Sequence, residues 1–427
     1  MAPDYRHLSA FASEAPCGII WRVPQHTPRL AYVVDTLFRV WLNLPYRIVT
    51  PPEWQSAPPP SGWRVVSYGT DDLGPADISL PYTGFLSRSG TAFFLPTWDA
   101  GGFFPSAGDF GWDLPAMAFY VLTLYPLYQW PYGWGRWGLY AWEKAPFYNA
   151  PFWTEPFVQR RLYELLQRLE LRIDRPPFQW EIGWDIDHLY KWKGRGGLRW
   201  WVGGLWRGDL LERLRVRWSS QKDPYDTLDQ ITAAFAPSRA RFFFLLSNRH
   251  WRDSLVSPYQ PAVRQAIQRL HARGYSIGLH PSYTSRQRPE RLLAEKALLE
   301  SYLGAPVKTS RQHYLRFFWP DLLDVLVQAQ IEVDFTLAFP QRSGFLLGTL
   351  LEVPAYRVDR DVGLPLRLCG PALMDQVYLQ RKESDTALQA EVRRLLRLGA
   401  ELGGRLHFIW HNSAWDFLPA EFLEAPP

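Results

Sequence analysis

The chain has 427 residues, 47% of them hydrophobic and 21% charged, with a formal net charge of +5. This composition excludes a disordered chain, and arginine clusters at 160–161, 213–217 and 393–397 are too interspersed with apolar residues for a nucleic-acid surface. The length suits two domains, or one barrel of about 250 residues with an added module.

Cysteine usage and the N-terminal residues predict the compartment. Cys17 and Cys369 are far apart and have no Cys or His neighbours at metal-ligand spacing, so we expect a reducing cytoplasm rather than a disulfide framework. The N-terminal residues include acidic groups and no long apolar core, which argues against a secretory signal. The most apolar stretch, 114–130, contains two prolines and is short for a transmembrane segment, so a core helix is expected.

The first part of the chain predicts a small α/β module at residues 1–110. It begins with a helix and strand over 28–50, passes a proline-rich loop at 51–60, and continues with short strands at 63–68, 76–80 and 92–96. A helical and loop bridge is expected over 111–177, with helices at 114–128 and 155–171. Asp-Arg-Pro-Pro at 174–177 marks its end.

Beyond the bridge, strand-like and helix-like segments alternate. The strand candidates are 180–186, 240–246, 276–280, 307–314, 332–339, 351–356 and 406–410, and the amphipathic helices are 261–273, 288–303, 319–330 and 385–402. Such alternation implies parallel strands with helical crossovers. Seven strands in about 250 residues favour a seven-stranded parallel (β/α) barrel of α/β class over residues 178–427.

Two aspartates end the first of these strands. Asp185 and Asp187 are two positions apart, so their side chains would share one face of the strand. Neighbouring carboxylates repel unless a positive group or a shared proton lies between them. A metal ion and a water molecule that it activates would resolve the conflict, with one Asp as ligand and the other as base. The alternative is a solvated turn at the strand end.

Other reactive residues fall at or near the C-terminal ends of the later strands, where such barrels carry their chemistry. They are His280, Ser282 and Tyr283 at the third strand, Arg311, His313 and Tyr314 on the fourth, Asp334 on the fifth and His411 on the last. Each could be structural when taken singly, but their coincidence at one rim indicates a site.

The order of these segments resembles the polysaccharide deacetylase superfamily, the NodB-homology or carbohydrate esterase family 4 enzymes. WDIDH is similar to the family's Asp motif in an Asp-x-Asp variant, RFFFLLSN to its second strand, GLHPSYTS to its His motif, RQHYLRF to its Arg-x-Pro-Tyr motif and LHFIWHN to its Leu-x-His motif. The resemblance covers about 178–415. The preceding part is similar to an uncharacterised domain found before this barrel in a bacterial subgroup.

The resemblance implies a distorted, deacetylase-like barrel that removes N-acetyl groups from a cell-envelope or exported polysaccharide with zinc or another divalent ion. The roles that it implies are Asp187 and His280 as metal ligands, Asp185 as base, His411 as acid, Arg311 as the partner that keeps Asp185 ionised, and Tyr314 with Ser282 and Tyr283 at the oxyanion and substrate. The position of Asp334 on its strand suggests a supporting residue behind them, and the alternative is that it ends a turn.

One departure from the family affects the metal. The second His of the His-x-x-x-His motif is replaced by Thr284, whereas three protein ligands are usual for catalytic zinc. We hypothesise that His313, at the Pro position of the Arg-x-Pro-Tyr motif, is the third ligand. The alternatives are a degenerate barrel without metal that binds saccharide or serves in assembly, and hydrolysis of a different amide.

Two further expectations concern the substrate. A cytoplasmic enzyme would meet a lipid-linked or nucleotide-linked precursor more readily than a finished wall polymer. The 22 Trp invite sugar stacking, with candidates at 130, 134 and 137 in one Gly-rich loop and at 200, 201 and 206 in another.

Overall fold

The computed structural model describes residues 17–54, 59–69, 74–107, 110–130, 133, 135, 138–193, 206, 209–218, 221–254, 256–381 and 384–424. Four of the tryptophans considered for sugar contact, Trp134, Trp137, Trp200 and Trp201, lie outside these residues. Of the other two, Trp130 packs against Trp142 with ring centroids 5.0 Å apart, and Trp206 is 90% exposed.

A four-stranded parallel sheet opens the fold, in the order β2-β1-β3-β4. Its strands are β1 (Gly18–Arg22), β2 (Tyr46–Val49), β3 (Trp63–Tyr68) and β4 (Ile78–Leu80), and α1 (Pro28–Val34) continues into a π-helical segment, Asp35–Val40. The first strand was not predicted, because four of its five residues are buried and it shows no alternation of apolar and polar residues. Residues 92–96, predicted as a strand, form none.

Several helices and one antiparallel pair of strands lead to the larger sheet. They are α2 (Pro51–Trp54), the antiparallel pair β5 (Trp98–Asp99) and β6 (Gly102–Phe103), α3 (Leu114–Leu122), α4 (Tyr125–Tyr128) and α5 (Phe157–Arg168). The predicted helix at 114–128 is broken at Leu124, whose φ is +50°. Every residue of α3 is buried, as expected of a core helix. Across the described ranges, none of the helices has both the length and the apolar character needed to traverse a bilayer.

The larger sheet has nine strands in the order β12-β13-β11-β10-β9-β8-β7-β15-β14. They are β7 (Phe178–Ile186), β8 (Ala240–Phe244), β9 (Ser276–Leu279), β10 (Thr309–Ser310), β11 (Val333–Asp334), β12 (Val353–Arg357), β13 (Val362–Leu368), β14 (Leu373–Met374) and β15 (Gly404–His411). Its helices are α6 (Leu210–Trp218), α7 (Leu228–Ala234), α8 (Pro261–Ala272), α9 (Pro289–Leu303), α10 (Asp321–Gln328), α11 (Asp375–Arg381), α12 (Asp385–Leu402) and α13 (Glu421–Glu424).

The α/β class with parallel strands is confirmed, but a seven-stranded all-parallel barrel is not shown. The sheet is mixed, because β12, predicted as a barrel strand, pairs antiparallel with β13. The predicted strands at 307–314 and 332–339 shorten to two residues each. In the first the backbone turns through Tyr314 and Leu315, with φ values of +60° and +51°. In the second, the Thr336 amide donates to the side chain of Asp334, and not to a backbone carbonyl of a neighbouring strand.

Both sheets pack on one continuous apolar core that runs from Ile19 to Phe422. Three side chains from the first part of the chain also donate to carbonyls of β12 and the residue before it: Trp41 Nε1 to Glu352 at 2.9 Å, Tyr32 Oη to Pro354 at 2.9 Å and Tyr128 Oη to Tyr356 at 3.2 Å. Next to them Arg29 Nε lies 2.7 Å from Asp361 Oδ1.

Candidate metal centre

The C-terminal ends of the parallel strands place the predicted residues at one rim. Asp185 lies near the end of β7 and Asp187 follows that strand directly, while His280 follows β9. His313 opens a 3₁₀ turn, His313–Leu315, just after β10, and His411 is the last residue of β15.

Three of these side chains converge. Asp187, His280 and His313 each offer one ligand atom, and the three atoms lie within 4.8 Å of one another. His280 Nε2 is 3.2 Å from Asp187 Oδ1, and His313 Nε2 is 3.5 Å from Asp187 Oδ2. Among the residues that the structure describes, Asp187 Oδ1 and His280 Nε2 are buried and have no hydrogen-bond partner, which is costly unless a cation lies between them. One carboxylate and two imidazoles suit a divalent ion of the zinc type.

The orientation of the His280 ring is fixed from behind. His280 Nδ1 lies 2.6 Å from the carbonyl oxygen of Arg311. A carbonyl can only accept, so Nδ1 carries the hydrogen, and in the neutral ring it is Nε2 that presents a lone pair on the side of Asp187. Metal-ligating histidines are commonly oriented by such a bond on the second ring nitrogen.

The charges of the carboxylates and imidazoles in this cluster couple proton binding to cation binding. Burial would raise the pKa of Asp187, but the imidazoles of His313 and His280 hold that pKa well below its usual range. Burial would lower the pKa of His280, but Asp185 and Asp187 raise it. Protons on such a cluster are displaced when a metal binds.

A buried carboxylate that the sequence did not indicate lies behind His313. Asp253 Oδ1 is 3.9 Å from His313 Nδ1. The carboxylate also accepts hydrogen bonds from the Tyr283 amide at 2.9 Å and the Ser247 hydroxyl at 3.0 Å. Asp253 follows β8 by nine residues in an irregular loop. Its position after a parallel strand was the one signal that could have marked it.

The second aspartate of the pair is held by a buried arginine. Arg311 Nη1 lies 2.7 Å from Asp185 Oδ1 and 3.0 Å from the Gly183 carbonyl, and its guanidinium packs 4.3 Å from the Phe243 ring centre. A Cβ at Gly183 would lie 2.6 Å from Arg311 Nη1, so only glycine leaves room for this arginine. This buried ion pair therefore fixes the position of the Asp185 side chain.

His411 is paired with an aspartate that sequence reasoning missed. His411 Nδ1 lies 2.8 Å from Asp375 Oδ1, the His411 amide donates to Asp375 Oδ2 at 2.8 Å, and His411 Nε2 points to Asp187 Oδ2 at 3.7 Å. Burial opposes protonation, but Asp375 and Asp187 raise the pKa of His411 to about 10. Asp375 follows β14, a two-residue strand that the sequence did not predict.

The remaining predicted residues lie in the segments that follow β9 and β10. Tyr314 is 39% exposed, and the centre of its ring lies 4.5 Å from that of His313. Tyr283 stacks on the His250 ring at 4.8 Å. The Ser282 amide donates to Glu295 at 2.8 Å.

Two residues face away from the converging ligand atoms. Asp334 accepts from Ser310 Oγ at 2.6 Å and so holds the strand end before Arg311. Thr284 accepts a hydrogen bond from Arg291, which leaves the position of the family's second His without a role at the centre.

The centre opens on one side. The side chains of Asp187 and His411 are 21% and 14% exposed, whereas those of Asp185, His280 and Arg311 are at most 4% exposed. A ligand can therefore reach the cluster past Asp187 and His411.

Residues 19–174 match a family of unknown function, DUF7033, and no curated protein matches the chain. The fold is similar to a protein from Mycobacterium smegmatis described as a polysaccharide deacetylase, at 14% identity and a TM-score of 0.34, covering 55% of this chain and 76% of that one. It is also similar to the polysaccharide deacetylase Bc1974 from Bacillus cereus (11%, TM-score 0.28, covering 55% and 80%). A third is IcaB from Ammonifex degensii (15%, TM-score 0.20, covering 38% and 85%).

Proposed function

We propose that this protein is a metal-dependent hydrolase that removes N-acetyl groups from a polysaccharide or its precursor. The observation that carries the proposal is the convergence of Asp187, His280 and His313, whose ligand atoms lie within 4.8 Å of one another. His313 would supply the third protein ligand that catalytic zinc usually has, in place of the histidine absent at Thr284. Zinc is therefore the ion we propose.

When bound, such an ion would act as a Lewis acid and lower the pKa of a water molecule to about 7. The chain supplies the proton transfers. Arg311 occupies Asp185 Oδ1, so Asp185 Oδ2, which lies 3.9 Å from His280 Nε2, is the oxygen that takes the proton of the attacking water. The water oxygen forms a bond to the acetamide carbon.

His411 serves as the acid for the departing amine. Asp375 occupies its Nδ1, which leaves Nε2 to give a proton to the nitrogen as the carbon–nitrogen bond breaks. The products are acetate and a free amino sugar. We assign the contact with the developing oxyanion to the turn at Tyr314, and contacts with the sugar to Ser282 and Tyr283.

The test is acetate release from N-acetylglucosamine oligomers by the full chain, before and after chelation and after zinc is restored. We expect chelation to abolish release, zinc to restore it, and Asp185→Asn to lower the rate by about 10²- to 10⁴-fold while keeping its zinc. Asp416→Asn, on the exposed surface nearby, is the matched control.

Release that survives chelation would contradict the proposal. Oligomer binding without release would favour a saccharide-binding protein on a degenerate barrel. A panel of other amides would reveal hydrolysis of a different carbon–nitrogen bond. A purified chain without stoichiometric zinc would contradict the metal assignment whatever the sugar.

A further inference from the structure

A second cavity lies at the same end of the sheet, on the other side of the chain segment that carries His313. Its volume is about 360 Å³, and it is lined by residues of the turn Ser285–Gln287, the start of α9, Phe317–Phe318 and the start of α10. Gln312 lines this cavity, whereas the adjacent His313 points to Asp187. The cavity and the metal centre therefore lie on opposite sides of the segment that contains Gln312 and His313.

Two buried donors belong to this cavity and lack acceptors. Gln312 is 2% exposed and its Nε2 has no hydrogen-bond partner in the described part of the chain. Arg316 is 7% exposed, and its Nε is also without a partner there, although its Nη1 donates to the Tyr283 carbonyl at 2.5 Å. Burying a donor without an acceptor costs free energy. What the cavity lacks is therefore a group that accepts hydrogen bonds.

Two guanidinium groups meet at the cavity. A Cβ at Gly138 would lie 2.6 Å from Arg286 Nη1 and 2.9 Å from Arg316 Nε, so both arginines approach the same glycine. The Arg286 guanidinium packs 3.5 Å from the centre of the Phe318 ring. Burial and the charge of Arg316 together lower the pKa of Arg286 to about 10. A negative charge between the two guanidinium groups would relieve this repulsion.

Helix ends add to the positive potential. The first residues of α9 and α10, helices of 15 and 8 residues, line the cavity through Pro289 and Asp321. A helix N-terminus carries about +0.5 elementary charge and favours anions. The carboxylate of Asp321 is exposed and lines the cavity too, and its charge opposes an anion.

We propose that this cavity binds a phosphate group, independently of acetamide hydrolysis. Two guanidinium groups, two helix N-termini and a buried amide donor suit an oxyanion with more than one charge and several acceptor oxygens. Phosphate carries about −1.5 to −2 charge near neutral pH and matches the donor geometry of arginine. The phosphate of a nucleoside diphosphate, that of a prenyl phosphate and the free ion share this chemistry.

The test is isothermal titration of the full chain, as purified, with inorganic phosphate, a nucleoside diphosphate and a short-chain prenyl phosphate. We expect saturable binding at one site that a chelator does not change, and competition of each organic phosphate with the free ion. The tightest of the three identifies the source of the group. Arg316→Gln and Gln312→Leu should each weaken binding by about 10- to 100-fold.

Two further variants are titrated with phosphate, one as a control and one that should bind more tightly. Arg239→Gln is the matched control, since Arg239 also packs on an aromatic ring, that of Trp180 at 4.2 Å, but lies before β8 at the other end of the sheet. It should leave phosphate binding unchanged. Asp321→Asn removes the opposing charge and should strengthen binding severalfold.

The absence of saturable phosphate binding, or equal affinity in wild type and Arg316→Gln, would overturn the proposal. Should Arg316→Gln fail to fold, Asp321→Asn decides, because that residue is exposed and unchanged phosphate affinity in it would contradict the site. Zinc content is measured in parallel and should be unaffected by Arg316→Gln. Failure of the phosphate site is thus distinguishable from failure of the metal centre.

Discussion

At the scale of single residues, key side chains of the candidate centre are held through one atom, and a second atom of the same side chain faces the centre. His280 is held through Nδ1 by the Arg311 carbonyl, and Asp185 is held through Oδ1 by the Arg311 side chain. One arginine thus positions both a proposed ligand and the proposed base. Pre-set orientation of this kind lowers the cost of assembling a reactive geometry.

The third ligand is the first point to test. His313→Ala would leave Asp187 and His280 as the protein ligands, and two ligands hold zinc weakly. We expect zinc per chain to fall from about one to well below it, measured by plasma mass spectrometry after gel filtration. His271→Ala, on the exposed face of α8, should keep its zinc. Undiminished zinc in His313→Ala would rule out this ligand set.

Asp375 is a positioning residue for His411. Asp375→Asn should lower kcat for acetate release by about 10²-fold, within the range of general acid–base contributions, because His411 loses the carboxylate that orients its ring. KM and zinc content should change little, since Asp375 is not among the converging ligands. Asp416→Asn should match wild type. A loss of zinc in Asp375→Asn would show instead that Asp375 is needed for the arrangement of the metal ligands, and that its effect is not limited to His411.

The residues that sequence reasoning found and missed differ in one physical respect. Asp185, Asp187 and His280 lie on or next to regular strands, where parallel pairing brings C-terminal ends together and makes their meeting predictable. Asp253 and Asp375 follow an irregular loop or a two-residue strand. Their positions depend on tertiary packing, which no local spacing records.

At the scale of elements, the long buried strands and the amphipathic helices were predictable, and the interrupted strands were not. The buried residues of α12 recur at helical spacing, and β7 is a nine-residue strand whose last seven residues are all buried. In β13, Gly363 and Pro365 argue against a strand, so its antiparallel pairing with β12 was not foreseen.

Three central strands are joined by a buried polar cluster near their N-terminal ends. Glu181 Oε1 on β7 accepts from Arg241 Nε on β8 at 3.1 Å and lies 3.1 Å from His407 Nδ1 on β15. Burial would raise the pKa of Glu181, but His407 and Arg241 hold it well below its usual range. A carboxyl with a lowered pKa contributes stability above its unfolded value, about 4.3, and that stability is lost as pH falls towards the folded value.

Glu181→Gln should therefore destabilise the protein most at neutral pH. Removing one partner of a buried charge cluster costs about 3–5 kcal/mol, and we expect the difference from wild type to shrink as pH falls below about 4. Urea unfolding at a series of pH values measures it. Glu332→Gln, in the exposed pair with Lys308, should cost less than about 1 kcal/mol. A pH-independent effect of Glu181→Gln would contradict this account.

At the scale of the whole molecule, the two sheets share one apolar core, and Arg29 links them through Asp361 with a side chain only 2% exposed. We expect a single unfolding transition with coincident tryptophan fluorescence and far-ultraviolet circular dichroism curves. A fragment covering 178–427 should lose its near-ultraviolet signal. Two separated transitions in the full chain would show that the parts fold independently.

The three side chains that donate to the β12 edge also affect how the protein meets other chains. An edge strand with open backbone groups is a template for another chain and a route to aggregation. Here Tyr32, Trp41 and Tyr128 occupy alternate carbonyls along that edge. The first part of the chain thereby covers the β12 border of the large sheet, where a neighbouring molecule could otherwise add a strand.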